Sequence, residues 1–457
     1  MVAFSLYFSL LLIHATATAL ATSPTDVKKT VQCLQTPHPE SSPEEALHDL
    51  AFECETLGVS QFDVYGDFHR GKPLSLSQIF YVHSRSKQMC GFDTKTDAQE
   101  SFLRRFEKGV ARDLGKEDAV FMPSGVMAQG IALLIHARNG GKHRPMFACH
   151  HTSHLLLHED EAYRELLNLE PLVISTEDSV GPNGYSVPPM TSADVQIAFD
   201  ACRDGGDVSV GDLVSALILE LPHRELGGKC TPWKEVIRIR DKCYKEGVKL
   251  HCDGARLFEA TTGYGMSPSQ LVKPFDSVYI SFYKGLGGIS GAMLLGDQEF
   301  CTEARKWLRR FGGNLYSLLP YAVSGWAGYE RYWKCRDGQL TFAQKKEKLL
   351  GLIRKLNNDE GVSNLVRFDP ETPETNMIHG YLAFPPERMT EAINRVQETT
   401  GIRVLKRLGA VDESSAAHQE GHRSKFELSI GESNGKIEDD TFLLAWKELA
   451  KALEIQA

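Results

Sequence analysis

A carboxylate, a lysine and a glycine-bearing turn are the residues of this 457-residue chain whose types and order point to chemistry. The run His251-Cys252-Asp253-Gly254-Ala255-Arg256 closes an apolar stretch. A carboxylate leaving a buried strand needs a solvated loop or a cationic partner, because burying its charge alone is costly. Asp253 is therefore either a strand-end cap or the acid of a charged site. A cation lies 31 residues on, in Ser281-Phe282-Tyr283-Lys284-Gly285-Leu286-Gly287-Gly288. The glycines after Lys284 let backbone approach a ligand closely, and desolvation at a strand end lowers an amine pKa. Such a lysine can form a Schiff base, whereas a Lys-Gly pair by itself reads as a surface turn. The third piece, Met122-Pro123-Ser124-Gly125-Val126, is a strand-to-helix turn whose N–H groups suit a phosphate, although Ser124 alone reads as a helix N-cap. Together the phosphate turn, the strand-end acid and the strand-end lysine describe a pocket for pyridoxal phosphate.

Short strands alternating with helices must position these residues. Phe102, Phe106, Val110 and Leu114 recur at helical spacing up to Gly115, a helix C-cap. Apolar runs at 119–122, 172–175, 216–221, 248–252, 278–282 and 292–295 read as strands, with a helix opening at Ser124 and another from Pro232 to Gly247. This alternation predicts an α/β fold with a mainly parallel sheet, helices on both faces and a ligand beyond the strand ends. Past Gly312-Gly313 the texture changes to a helix over 341–357, strands at 365–368, 378–384 and 426–430, and helices from Pro386 and Ile437. The expected division is a leader over 1–21, an arm over 22–62 with a short helix around 43–52, a large domain over 63–315 and a small α+β domain over 316–457.

The leader rests on an apolar run from Phe4 to Ile13 followed by Ala15, Ala17, Ala19 and Ala21. It is too short for a membrane span and offers a small-x-small cleavage site. No Lys or Arg precedes it, so the expectation is the secretory pathway or an organelle, and otherwise the cytoplasm. A net charge of -9 gives no electrostatic reason to expect nucleic acid. Ten cysteines without a CxxC pair or a Cys/His cluster indicate neither a disulfide scaffold nor a metal site.

Five stretches, in order, resemble the threonine aldolase and aromatic amino acid β-eliminating lyase family of fold-type-I enzymes. They are Leu114 through Gly125, Ser153-His154 through Glu159, Glu220 through Gly228, His251 through Ala260, and Ser277 through Gly296. The resemblance implies the aspartate-aminotransferase-like fold, with a mainly parallel seven-stranded sheet and a smaller C-terminal α+β domain. It implies that Lys284 carries pyridoxal 5'-phosphate, that Asp253 keeps the pyridine nitrogen protonated, and that Ser124, Gly125 and Val126 hold the phosphate. His154 would stack on the ring and assist proton transfer, and His223 would stand near the substrate or merely line the rim. Arg256 would meet a substrate carboxylate or steady the cofactor, unless it forms an ion pair with Glu159 or Glu220. A homodimer or homotetramer acting on an amino acid is implied as well.

The chain departs from that family at three places. Where the family has an Ile-Arg-Leu strand whose arginine binds the substrate carboxylate, this chain has Phe426-Glu427-Leu428, and glutamate is no cation. The family's Ser-Asp-Thr stretch is replaced by Tyr65-Gly66-Asp67-Phe68-His69-Arg70-Gly71, and Tyr283 stands where serine is common. Arg70, Arg423 and Lys425 are candidates for the missing cation. The expected reaction is retro-aldol cleavage of a β-hydroxy-α-amino acid to glycine and an aldehyde, with His154, His223 or a water as base. A β-eliminating lyase and a catalytically silent fold member are the alternatives.

Overall fold

The computed structural model describes residues 32–37, 102–141, 143–176, 187–203, 208–315, 318–335 and 338–454. The leader, most of the arm including its expected helix, and the segment from Tyr65 to Gly71 lie outside the described residues.

Seven strands form the central sheet: β1 (Asp118–Met122), β2 (Met146–His150), β3 (Glu170–Ile174), β4 (Val214–Glu220), β5 (Lys249–Gly254), β6 (Ser277–Ser281) and β7 (Ala292–Gly296). Their order is β1-β7-β6-β5-β4-β2-β3. All neighbours pair in parallel except β7, which runs antiparallel to both β6 and β1. Every residue of β4 is buried, as a strand covered on both faces requires. Alternate residues serve the two faces: Leu217 and Leu219 pack with Val236 and Ile239, whereas Ala216 and Ile218 pack with Leu133 and Leu134. The strand β2 is not announced by its sequence, because Met-Phe-Ala-Cys-His contains no β-branched residue.

Four helices fix the strand ends. The helix α1 (Phe102–Leu114) stops at Gly115, whose φ of +69° is the left-handed conformation that glycine adopts without strain. The helix α2 (Gly125–Arg138) opens where the Ser124 side chain accepts the Met127 N–H, and it packs across β4, β6 and β7. The helix α3 (Trp233–Glu246) precedes β5, and α4 (Leu257–Tyr264) follows it directly, starting at Arg256.

Toward the C-terminus a four-stranded antiparallel sheet holds β8 (Val366–Asp369), β9 (Met377–Leu382), β10 (Gly409–Ala410) and β11 (Ser424–Ser429) in the order β10-β11-β9-β8. Helices Phe342–Asn357, Pro386–Thr400 and Asp439–Glu454 close its core around Ile393, Phe426 and Trp446. Leu34 joins that core, because Gln32–Cys33 pairs in parallel with Ile402–Arg403. Among the described residues no helix is long and apolar enough to cross a membrane.

Candidate active site

Parallel pairing brings the C-terminal ends of three strands to one edge. Glu220 of β4 stands opposite Asp253 of β5, which stands opposite Tyr279 of β6. Asp253 is buried, and its carboxylate accepts the Gln129 Nε2–H at 2.6 Å and the Ala255 N–H at 3.1 Å. Burial and then the neighbouring Glu220 push its carboxyl up to about 6, against the pull of Lys284, His154 and the Ala255 N–H. Lys284 lies just past β6. Desolvation, then the charge of Arg256, lowers its ammonium pKa, while Asp253 and Glu220 oppose the shift. A lowered amine pKa is what a Schiff-base lysine needs, since only the neutral amine attacks a carbonyl.

The backbone beside Lys284 is held by tight packing. A Cβ added to Gly285 would sit 2.3 Å from Glu259 Oε1, so the carboxylate of α4 occupies the room a side chain would take. Glu259 is itself buried, and that burial pushes its carboxyl up to about 7 against the charge of Arg256. The phosphate turn is built similarly: a Cβ on Gly125 would meet the Tyr279 hydroxyl at 2.1 Å and the Tyr283 hydroxyl at 2.9 Å. Two phenols and the first N–H groups of α2 thus converge at Ser124, Gly125 and Val126, a donor set that fits a phosphate. The Ser290 hydroxyl donates to the Pro123 carbonyl at 2.8 Å, tying the segment after Lys284 to this turn.

Two histidine sites flank the acid. His154 opens a short helix, His154–Leu157, and its Nδ1 lies 2.9 Å from Glu159 Oε1. When protonated it favours the Asp253 anion, as Lys284 does. His223 is held through Nε2 instead. Its Nε2 lies 2.9 Å from Thr152 Oγ1 and 3.3 Å from the Thr152 carbonyl oxygen, and its ring meets His150 at 4.8 Å between centroids. His150 bonds the same Thr152 hydroxyl, and burial pushes its imidazole down to about 2, so it stays neutral. Glu220 links this cluster to the acid: Oε1 accepts the Arg224 N–H at 2.9 Å, and Oε2 is buried without a hydrogen-bond partner among the described residues. Oε2 lies 3.6 Å from His223 Nε2, beyond hydrogen-bond reach, so the oxygen can accept a ligand hydroxyl.

The cations gather around Glu427. Arg256 pairs with neither Glu159 nor Glu220; its carboxylate contact is Glu427 Oε1 at 3.7 Å. Burial works against its charge, but Glu427, Glu259 and Glu220 outweigh it and raise its pKa. Arg224 Nε lies 2.8 Å from Glu427 Oε2. Burial would raise the Glu427 carboxyl, yet Arg256 and Arg224 hold it below its ordinary range. Arg423 turns away and donates to the carbonyls of His418 and His422, and Lys425 lies 3.7 Å from Glu225. A cleft of 420 Å³ opens here, lined by Arg224, His379, Lys425 and Glu427 among others. Arg70 lies outside the described residues. Sequence reading overlooked Gln129, Tyr279, Glu259 and Arg224. Two of these, Gln129 and Glu259, stand three or four residues from a recognised site residue along a helix, the spacing that shares a face, and Arg224 directly follows His223.

The profile of the beta-eliminating lyase family matches residues 86–402. Low-specificity L-threonine aldolase 1 of Arabidopsis thaliana is 26% identical over 320 residues, covering 70% of this chain and 83% of its own. A Listeria monocytogenes EGD-E protein assigned as an L-allo-threonine aldolase superposes with a TM-score of 0.63 at 29% identity, over 89% of this chain and 99% of that one. An Exiguobacterium sp. 255-15 protein assigned as an aromatic amino acid beta-eliminating lyase/threonine aldolase superposes with a TM-score of 0.63 at 31% identity, over 88% of this chain and 99% of that one. The family profile spans more than half of the chain, and the chain belongs to the beta-eliminating lyase family of pyridoxal-phosphate enzymes.

Proposed function

We propose that the chain cleaves the Cα–Cβ bond of a β-hydroxy-α-amino acid to give glycine and an aldehyde. The observation that carries this reading is the meeting of Lys284 and Asp253 at the strand ends beside His154, whose Nδ1 is committed to Glu159. When bound at Lys284, pyridoxal phosphate supplies an electron sink for the pair released from the broken bond. Asp253 holds the proton on the ring nitrogen. Ser124, Gly125 and Val126 hold the phosphate, and Arg256, with Arg224 beside it, meets the substrate carboxylate. In the tautomer that donates its Nδ1–H to Glu159, the lone pair of His154 lies on Nε2. That nitrogen takes the β-hydroxyl proton as the C–C bond breaks, so the oxygen becomes the aldehyde carbonyl, the bonding pair passes to Cα, and protonation of Cα leaves glycine. His223 is bound to Thr152 and acts by shaping the pocket. The name of the Arabidopsis relative, a threonine aldolase, supports this substrate class.

The test is product analysis of the cofactor-loaded protein on a panel of β-hydroxy-α-amino acids, with Lys284→Ala as control. Glycine and aldehyde in equal amounts, absent in the mutant, are expected. Ammonia and a keto acid would instead place the chain among β-eliminating lyases, and cofactor binding without turnover would make it a silent member of the fold. By the resemblance, the working form is a homodimer or homotetramer, which sedimentation of the mature chain would check.

A further inference from the structure

Behind Asp253 a line of side-chain hydrogen bonds leads away from the pocket. Gln129 Nε2 lies 2.6 Å from Asp253 Oδ2, and Gln129 Oε1 lies 2.7 Å from His251 Nε2. His251 Nδ1 lies 2.7 Å from Ser277 Oγ, which lies 2.7 Å from His136 Nε2. All five side chains are buried, and they come from α2, β5 and β6. The far member, His136, borders a cleft shared with Lys249 and Asp276 at the N-terminal ends of β5 and β6.

Such a line has a direction. Burial pushes His136 down to about 3 and His251 well below its ordinary value, so each imidazole is neutral and carries one N–H. Two orientations satisfy every contact. In one, His136 Nε2–H donates to Ser277, the Ser277 hydroxyl to His251 Nδ1, His251 Nε2–H to Gln129 Oε1, and the Gln129 amide to an ionised Asp253. In the other, both tautomers, the hydroxyl and the amide reverse, and Asp253 must carry a proton to donate to Gln129 Oε1. The Ala255 N–H on Asp253 Oδ1 and the charge of Lys284 select the first orientation.

We propose that Gln129, His251, Ser277 and His136 are positioning residues, a relay of oriented hydrogen bonds that keeps Asp253 an anion facing the cofactor's ring nitrogen. The inference rests on the pocket being a pyridoxal phosphate site. The relay works against known opponents, since burial and Glu220 both favour the protonated acid. The other groups facing Asp253 are Lys284 and His154, which favour the anion. Around the far end, Lys249 and Arg144 disfavour charge on His136, and Asp276 acts on His251.

The first test reads the wild-type chain by nitrogen-15 NMR of labelled histidine, with and without pyridoxal phosphate. His136 and His251 are both expected as Nε2–H tautomers; a proton on Nδ1 of His251 would overturn the relay whatever any variant does. The second test uses ring-nitrogen-labelled pyridoxal phosphate on Gln129→Met and Ser277→Ala. The midpoint for losing the ring-nitrogen proton is expected to fall by about one to two pH units in Gln129→Met, the size set by one hydrogen bond to a charged group, and by less in Ser277→Ala. A loaded Gln129→Met or Ser277→Ala with the wild-type midpoint would reduce the network to packing. Should the wild type take up no cofactor, the reading of the pocket falls, and the histidine tautomers still decide the relay.

Discussion

Glu220 and Asp253 stand opposite one another in the register of β4 and β5, two buried carboxylates at one edge of the pocket. Burial favours the protonated form of Asp253 and the like charge of Glu220 adds to the effect, which is why its carboxyl is pushed from 3.8 up to about 6.

That rise has a sign in stability. A carboxyl that binds its proton more tightly when folded contributes stability fully present below about 3.8 and lost as pH climbs through about 6. The loss is on the order of 3 kcal/mol for two units. In the cofactor-free protein, Asp253→Asn should therefore gain melting temperature relative to wild type as pH rises from 4 to 7. Buried neutral His136, His150 and His379 titrate oppositely in both proteins and cancel in the difference. A difference independent of pH would show that Asp253 is not raised.

Gly285→Ala should loosen the lysine. Its Cβ meets a buried carboxylate on α4, so either Glu259 or the Lys284 backbone must move. Overpacking of this kind costs about 1–3 kcal/mol. Thermal melts should show the loss, and titration with pyridoxal phosphate should show cofactor affinity reduced about tenfold or more. Gly285→Ala/Glu259→Ala, which removes the clash, should recover affinity; failure to do so would deny Glu259 this role.

The cations around Glu427 yield a charge test. With Arg256 meeting the substrate carboxylate as proposed, Arg256→Ala should lower kcat/KM by about 10- to 100-fold, the range for one hydrogen bond to a charged group. Glu427→Gln should act the other way on KM, because Arg224 and Arg256 lose the carboxylate they share. A higher KM in Glu427→Gln would mean that Glu427 itself contacts the substrate.

His154→Asn should separate base from scaffold. Removing the proton acceptor should reduce kcat by about 100- to 10,000-fold while the absorbance of the bound cofactor persists. Glu159→Gln, which removes the anion that orients the ring, should cause a smaller loss and shift the pH profile of kcat. Equal and small losses in both would move the base elsewhere, with Glu220, whose Oε2 makes no hydrogen bond among the described residues, the next to examine.

Much of this protein was decided by its sequence alone. Helical spacing from Phe102 to Leu114 and its stop at Gly115, the apolar runs of six central strands, and the succession of phosphate turn, acid and lysine are local patterns. They are set by side-chain periodicity and by the conformational freedom of glycine, which act over a few residues. The tertiary structure decided what those residues meet. Gln129 reaches Asp253 across 124 positions, and Glu427 reaches Arg224 and Arg256 from a different sheet. Arg423, a candidate for the missing cation, turned instead toward its own hairpin, since nearby carbonyls satisfied it first. The strand order and the direction of β7 likewise follow from how helices cover both faces, and no short stretch of sequence encodes that packing.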